Sequence, residues 1–249
     1  MCSSFKDYFS GHASSYAAAR PDYPPALFAW LAGQAPAQEL AWDCATGNGQ
    51  AARALARHFG HVIATDASTE QIANAVPHPG IDYRVATAES PGLDPGSVDL
   101  ATVAQAVHWF DRPRFYAAAS RALRPGGLIA VWSYGLFTID PALDAVVNHF
   151  YDDVIGPYWP PERRLIDAHY TTLDFPFDEI TPPTFVMEHA WTCGQVLAYL
   201  RTWSAVQRYR RDAGHDPMMP VAEEIARLWG NATRRRVCWP LYLRAGHPA

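Results

Sequence analysis

The chain has 249 residues, 49% hydrophobic and 18% charged, with a formal net charge of -5. That length holds one large domain or two small ones, and the acidic balance offers no general basic field, so nucleic acid is not an expected partner. An aromatic content of 13%, including nine Trp and twelve Tyr, is enough to wall a ligand pocket.

Cys2, Cys44, Cys193 and Cys238 are scattered without a C-x-x-C pair. Their spacing indicates neither a zinc site nor a disulfide framework, and no metal is expected. The first residues lack the apolar run of a signal peptide, and no uninterrupted apolar stretch reaches the roughly 18 residues a bilayer span needs. A cytoplasmic protein with no membrane partner is the expectation, as monomer or homodimer. The basic runs Arg208, Arg210, Arg211 and Arg234, Arg235, Arg236 read as solvated faces.

In chain order, residues 4–19 are Ala- and aromatic-rich and read as a helix that Arg20-Pro21-Asp22-Tyr23-Pro24-Pro25 breaks; helical periodicity resumes over 26–32. A strand over 40–44, a Gly-containing turn, a helix over 50–59 and a strand over 61–66 then form one βαβ unit. A helix near 68–75, a strand near 81–86, an apolar strand over 98–105, a helix over 113–123 and a strand over 128–132 continue the alternation. Strands separated by helices imply a parallel sheet, because parallel neighbours need a crossover.

After Tyr134 the rhythm changes. A helix over 140–154, a Pro- and aromatic-rich segment over 156–161 and a helix around 162–172 read as an inserted helical lid. A strand over 184–191, further helices through Trp229 and a β-rich run over 237–243 follow, the last two strands lying antiparallel at the sheet edge. The fold class is therefore α/β, a doubly wound, mostly parallel, seven-stranded sheet in one domain. Within it, 1–36 form a helical cover, 37–135 the cofactor-binding core, 136–183 the lid and 184–249 the C-terminal strands and helices.

The chemistry-bearing signal is Asp43-Cys44-Ala45-Thr46-Gly47-Asn48-Gly49, placed where a strand gives way to a helix, so that glycines allow a tight turn and close backbone approach to a ligand. Asp66 follows about 20 residues on, where a carboxylate takes both hydroxyls of a ribose. Gly47-x-Gly49-x-x-Ala52 also satisfies the dinucleotide fingerprint, so an NAD-dependent dehydrogenase is an alternative at this point. The acidic Asp43 four residues before the first Gly, the helical prefix and the C-terminal edge strand favour a different adenosine ligand. Cys44 reads as a small buried residue rather than a nucleophile.

Several segments together resemble the class I S-adenosylmethionine-dependent methyltransferases, specifically the type 11, trans-aconitate methyltransferase-like branch. They are Tyr16 with Arg20-Pro21-x-Tyr23-Pro24, Asp43-x-x-Thr46-Gly47-Asn48-Gly49-Gln50, Ala64-Thr65-Asp66, Ala88-Glu89, Ala104 to Asp111 and Leu123-Arg124-Pro125-Gly126-Gly127. Ala45 departs from the family's usual first Gly. The resemblance implies a Rossmann-like fold and S-adenosylmethionine as cofactor, released as S-adenosylhomocysteine. It implies that the turn Asp43, Ala45, Thr46, Gly47, Gly49 holds the methionine portion and Asp66, with Ala67, the ribose. Ala88 and Glu89 then flank the adenine, Gln105 and Trp109 lie beside the cofactor, and Tyr16 and Arg20 fold over it, the guanidinium pairing with its carboxylate. A protein that binds the cofactor without catalysis is the other alternative.

The expected reaction is in-line displacement onto a small molecule, a carboxylic acid among the candidates, in which positioning does most of the work. His108, just after the fourth strand, reads either as the group that positions or deprotonates the acceptor or as a pocket-wall histidine. Tyr158, Trp159, Trp203 and Arg208 are the candidate acceptor contacts, aromatic walls with a cationic hook.

Overall fold

The computed structural model describes residues 20–248. Tyr16 and the expected helix over 4–19 lie outside them. Eight strands form one sheet in the order 81–85, 61–66, 40–44, 98–104, 123–134, 235–247 and 178–180, with 185–191 pairing 235–247 beside 178–180. The parallel part is β1 (Leu40–Cys44), β2 (His61–Asp66), β3 (Ile81–Val85), β4 (Val98–Ala104) and β5 (Leu123–Tyr134). β8 (Arg235–His247) runs antiparallel to β5, and its other side is covered by β6 (Asp178–Ile180) over residues 245–247 and by β7 (Phe185–Trp191) over 235–241.

The strand count corrects the expectation of seven: of the two strands expected at the antiparallel edge, β7 lies there, and β8 is set one place inward because the additional strand β6 also covers it. Thr181-Pro182-Pro183-Thr184 separates β6 from β7. Two consecutive prolines supply no N–H to a ladder, so one continuous edge strand is broken into two. The final strand is longer than the β-rich run read from sequence, because pairing with three partners draws its polar ends into the ladder.

Helices cover both faces, and the alternation of side chains along the strands explains why. Ala41, Val62, Ala64, Ala130 and Trp132 pack into one core, with α1 (Pro25–Gln34) and α2 (Gln50–Leu55). Their sequence neighbours Trp42, Ile63, Ile129 and Val131 point into the other, against Phe115 and Ala119 of α4 (Arg112–Ala122). The short α3 (Thr69–Ala73) starts at Ser68, whose hydroxyl accepts from Gln71 N.

Beyond β5, α5 (Pro141–His149) is capped by Asp140, which accepts from the Ala142 and Leu143 amides, and runs into a wider π-type turn at Phe150–Val154. The expected helix over 162–172 is only α6 (Arg163–Asp167). It stops because His169 and Tyr170 both take left-handed backbone angles, φ of 55° and 58°, which turn the chain so that the Tyr170 ring is fully buried. Then α7 (Cys193–Arg201), opened by a Thr192/Gln195 capping box, α8 (Ser204–Ala213) and α9 (Met218–Trp229) complete the cover. No helix among the described residues is long and apolar enough to cross a membrane.

Strand order reverses between β1 and β4, and the carboxyl ends of β1, β2, β4 and β5 converge on that switch point, where open α/β sheets leave a crevice.

Candidate active site

A cavity of about 440 Å³ fills the crevice, within the size range of small-ligand sites. It runs from the loop after β3, where Ala86, Ala88 and Glu89 line it, past Asp66 at the end of β2 and Ala67 just after it, the turn after β1, and Gln105 after β4, to Tyr134 at the end of β5.

The floor is set by the β1 turn. Asp43 is 1% exposed, and its carboxylate accepts from Thr46 Oγ1 at 2.5 Å and from Thr102 Oγ1, on neighbouring β4, at 2.8 Å. Burial raises its pKa from 3.8 to about 6 against the lowering effect of those hydroxyls, with nearby Asp66 adding to the rise. The turn itself is left-handed at three positions, Ala45 (φ 54°), Gly47 (58°) and Gly49 (83°). Ala45 therefore stands where glycine costs nothing and alanine about 1 kcal/mol, so the departure from the family's usual glycine carries a modest backbone strain. At Gly49 a Cβ would meet the Tyr83 hydroxyl at 2.2 Å, so the side chain of β3 closes over the turn only because that residue has none. Gly49 is accordingly beneath the site rather than on its wall, while Ala45, Thr46 and Gly47 line the cavity.

Asp66 accepts from Gly47 N and Ser68 N, both at 2.9 Å, which ties the β2 tip to the β1 turn and fixes the carboxylate for a diol. Glu89 lines the cavity but also accepts from Asp111 N at 3.0 Å, a bond that holds the β3 loop against the start of α4.

Gln105 carries the strongest ligand signal. Its backbone is left-handed, φ 57°, at the tip of β4. Its amide is oriented because Nε2 donates to the Tyr134 carbonyl at 3.0 Å, leaving Oε1 buried with no hydrogen-bond partner. A buried acceptor left open on a cavity wall is costly unless a ligand's donor meets it. Beside it Arg20 Nη1 donates to the Tyr134 phenol at 3.0 Å, and the guanidinium lies 5.2 Å from the Tyr199 ring. Arg20 and Tyr134 both line the cavity, as does Trp109. Tyr134 was not singled out in the sequence; a tyrosine ending the last parallel strand is the signal that marks it.

Other predicted residues lie elsewhere. His108 is 5% exposed and absent from the cavity wall; its Nδ1 is 2.8 Å from the Tyr170 hydroxyl, and its ring rests against Trp109 at 4.7 Å. Burial first, then the charges of Arg163 and Arg112, lower its pKa to about 3. A neutral, buried imidazole of that weakness fits a packing role against Trp109 better than that of a base. Tyr158 packs on Tyr209 at 4.8 Å, and Trp203 is buried among Phe150, Tyr151, Trp159 and Tyr199. Arg208 is half-buried on α8. Trp159 lines a second recess of about 320 Å³, shared with Arg163, and none of the four candidate acceptor contacts lines the cofactor cavity. Cys44 is buried and its thiol is pushed well above the ordinary range by that burial, which leaves it without nucleophilic character.

A parallel α/β sheet with a carboxylate-tipped glycine turn at the switch point, an aspartate at the tip of the next strand and an open acceptor on β4 matches a class I methyltransferase site. The residues fit S-adenosylmethionine: Asp66 suits the ribose, and Gln105 Oε1 and Asp43 suit a positively charged amino-acid end. A family model described as a methyltransferase domain matches residues 42–131. A Dictyostelium discoideum protein named as a candidate methyltransferase is 33% identical over 247 residues, covering 96% of this chain and 94% of its own. A methyltransferase from Aspergillus candidus is 28% identical over 220 residues, covering 77% and 67%. A solved structure from Anaeromyxobacter dehalogenans, described as a candidate type II methyltransferase, has a TM-score of 0.87 at 46% identity over 92% of this chain and 99% of that one. The chain belongs to this methyltransferase family; it is an S-adenosylmethionine-dependent enzyme, which removes the dehydrogenase reading.

Proposed function

We propose that the acceptor is a small organic molecule, with carboxylic acids the first class to test, as the resemblance to the trans-aconitate methyltransferase-like branch suggests. The observation that carries the reading is the cavity itself. It is enclosed on the β4 and β5 side by Gln105, Trp109, Tyr134 and Glu162, and its length is mostly taken up by groups suited to the cofactor. We assign the remaining wall, Trp109, Tyr134 and Glu162, to a small acceptor.

When bound, S-adenosylmethionine supplies a sulfonium-activated methyl group whose bonding pair returns to sulfur as the acceptor's lone pair takes the carbon. The protein's part is alignment and exclusion of water. Asp43 and Gln105 hold the amino-acid end, Asp66 and Ala67 the ribose, Ala88 and Glu89 the adenine, and Arg20 the carboxylate. Trp109, braced by His108, walls the reacting space. No strong base is required for an acceptor already ionised at pH 7. We place the enzyme in the cytoplasm as a single domain acting as monomer or homodimer.

The test is methyl transfer from labelled S-adenosylmethionine to a panel of small acids, phenols and amines, alongside oligonucleotides and a protein extract. Turnover confined to small molecules supports the reading; label only in nucleic acid or protein refutes it. Binding of S-adenosylhomocysteine with no turnover of any kind favours the non-catalytic alternative.

A further inference from the structure

The segment after β5 builds the second recess, whose wall includes Tyr151, Trp159, Pro160, Arg163 and Asp167. Arg163 is only 18% exposed, low for an arginine, and it is held from one side alone. Its Nε donates to the Tyr151 hydroxyl oxygen at 2.7 Å, and that hydroxyl donates in turn to Asp167 Oδ1 at 2.6 Å. The direct Arg163 to Asp167 contact, 3.3 Å, also uses Nε. Nη1 and Nη2 have no acceptor among the described residues. The guanidinium carbon lies 4.7 Å from the Trp159 ring centre and 5.3 Å from that of Tyr151, so aromatic contact fixes the plane of the group while its outer edge stays open.

An open two-nitrogen edge on a rigid, half-desolvated guanidinium matches the two oxygens of a carboxylate. Its recess has no lining residue in common with the cofactor cavity and neighbours it along the chain. Glu162, one residue earlier, lines the cofactor cavity, as do Arg20 and Trp109. The Arg163 charge reaches His108, beside Trp109, and Tyr199, beneath Arg20.

We propose that Arg163 is the specificity-determining anchor for a carboxylate of the methyl acceptor, oriented by Tyr151 and Asp167 and walled by Trp159. The proposal rests on the small-molecule reading above. The anchored carboxylate is the handle and not the methylated group. A methyl on either oxygen breaks the two-point contact, and pairing with a guanidinium withdraws the charge that makes the oxygen nucleophilic. The acceptor is therefore bifunctional, a carboxylate at one end and a second nucleophile, another carboxylate, hydroxyl or amine, at the other.

The experiment uses the full chain with S-adenosylmethionine and a panel of succinate, fumarate, glutarate, malate, citrate and 4-hydroxybenzoate, each with the amide that neutralises one carboxylate. Arg163→Gln, Arg163→Lys and Tyr151→Phe are compared with the unaltered protein in methylation kinetics. S-adenosylhomocysteine affinity and unfolding temperature control for the fold. Expected is acid turnover that the amide loses, with Arg163→Gln raising KM for the acid about 10- to 100-fold, the cost of a charge-assisted contact, while S-adenosylhomocysteine binding changes less than about twofold. Arg163→Lys recovers part of the loss by keeping the charge without the fork, and Tyr151→Phe falls between. Acid and amide handled equally, or KM unmoved in Arg163→Gln, overturns the anchor. Turnover of neutral molecules alone refutes the anchor and leaves the small-molecule reading standing; no small-molecule turnover brings down both.

Discussion

Asp43 links stability and function in opposite directions, and Asp43→Asn separates them. In the folded protein the carboxyl keeps its proton to about pH 6, whereas unfolded it ionises near 3.8. The folded state thus binds more protons between those values, and stability falls as pH rises through that window, the loss being complete above pH 6. Two pKa units correspond to about 3 kcal/mol. Asparagine removes that ionisation cost but exchanges two hydroxyl bonds to a carboxylate for weaker neutral ones, leaving a net gain of about 2 kcal/mol. For a chain of this size that is a rise of about 4–8 °C in Tm at pH 8, shrinking toward nothing, or reversing, at pH 4. The same substitution removes a negative charge from the methionine end of the cavity, so S-adenosylhomocysteine affinity at pH 8 drops about tenfold. Thermal unfolding at the two pH values, with calorimetric titration of S-adenosylhomocysteine, measures both. A Tm difference that is the same at pH 4 and pH 8, or a less stable variant at pH 8, refutes the reasoning.

His108 gives the opposite linkage: its folded pKa, about 3, lies below its ordinary value of 6.5, so its contribution is intact above pH 6.5 and lost as pH falls toward 3. Urea unfolding of His108→Gln should therefore lose less stability than the unaltered protein between pH 6.5 and pH 4, by on the order of 3 kcal/mol. The shape of the kcat profile between pH 5.5 and 7.5 should be the same in both, and a limb near 6.5 that vanishes in the variant would restore the base. Gly49→Ala combines a left-handed φ of 83° with a Cβ 2.2 Å from the Tyr83 hydroxyl and should cost about 2 kcal/mol in urea unfolding. Adding Tyr83→Ala should recover the steric part only, and a Gly49→Ala protein as stable as its parent contradicts the close-packed turn.

The cofactor half of the protein was legible from residues in order. β1, β2 and β4 are apolar runs of five to seven residues with buried centres, and such runs bounded by Gly and Asp declare themselves because a parallel strand is covered on both faces. The placement of Asp43, Gly47 and Asp66 follows from the same local rule, that strand tips at the switch point face the ligand.

What required the tertiary structure is everything whose cause lies far along the chain. The length of β8 comes from β5, β6 and β7, at least 44 residues away in every pair of its ladder. The end of α6 comes from burial of Tyr170 against His108, 62 residues earlier. His108 looked available because it follows a strand, whereas the fold encloses it against Trp109, with the charges of Arg163 and Arg112 beside it. The open amide oxygen of Gln105 and the open edge of Arg163 have no counterpart in the sequence, since a side chain's unmet hydrogen bonds depend on neighbours that local propensity does not choose.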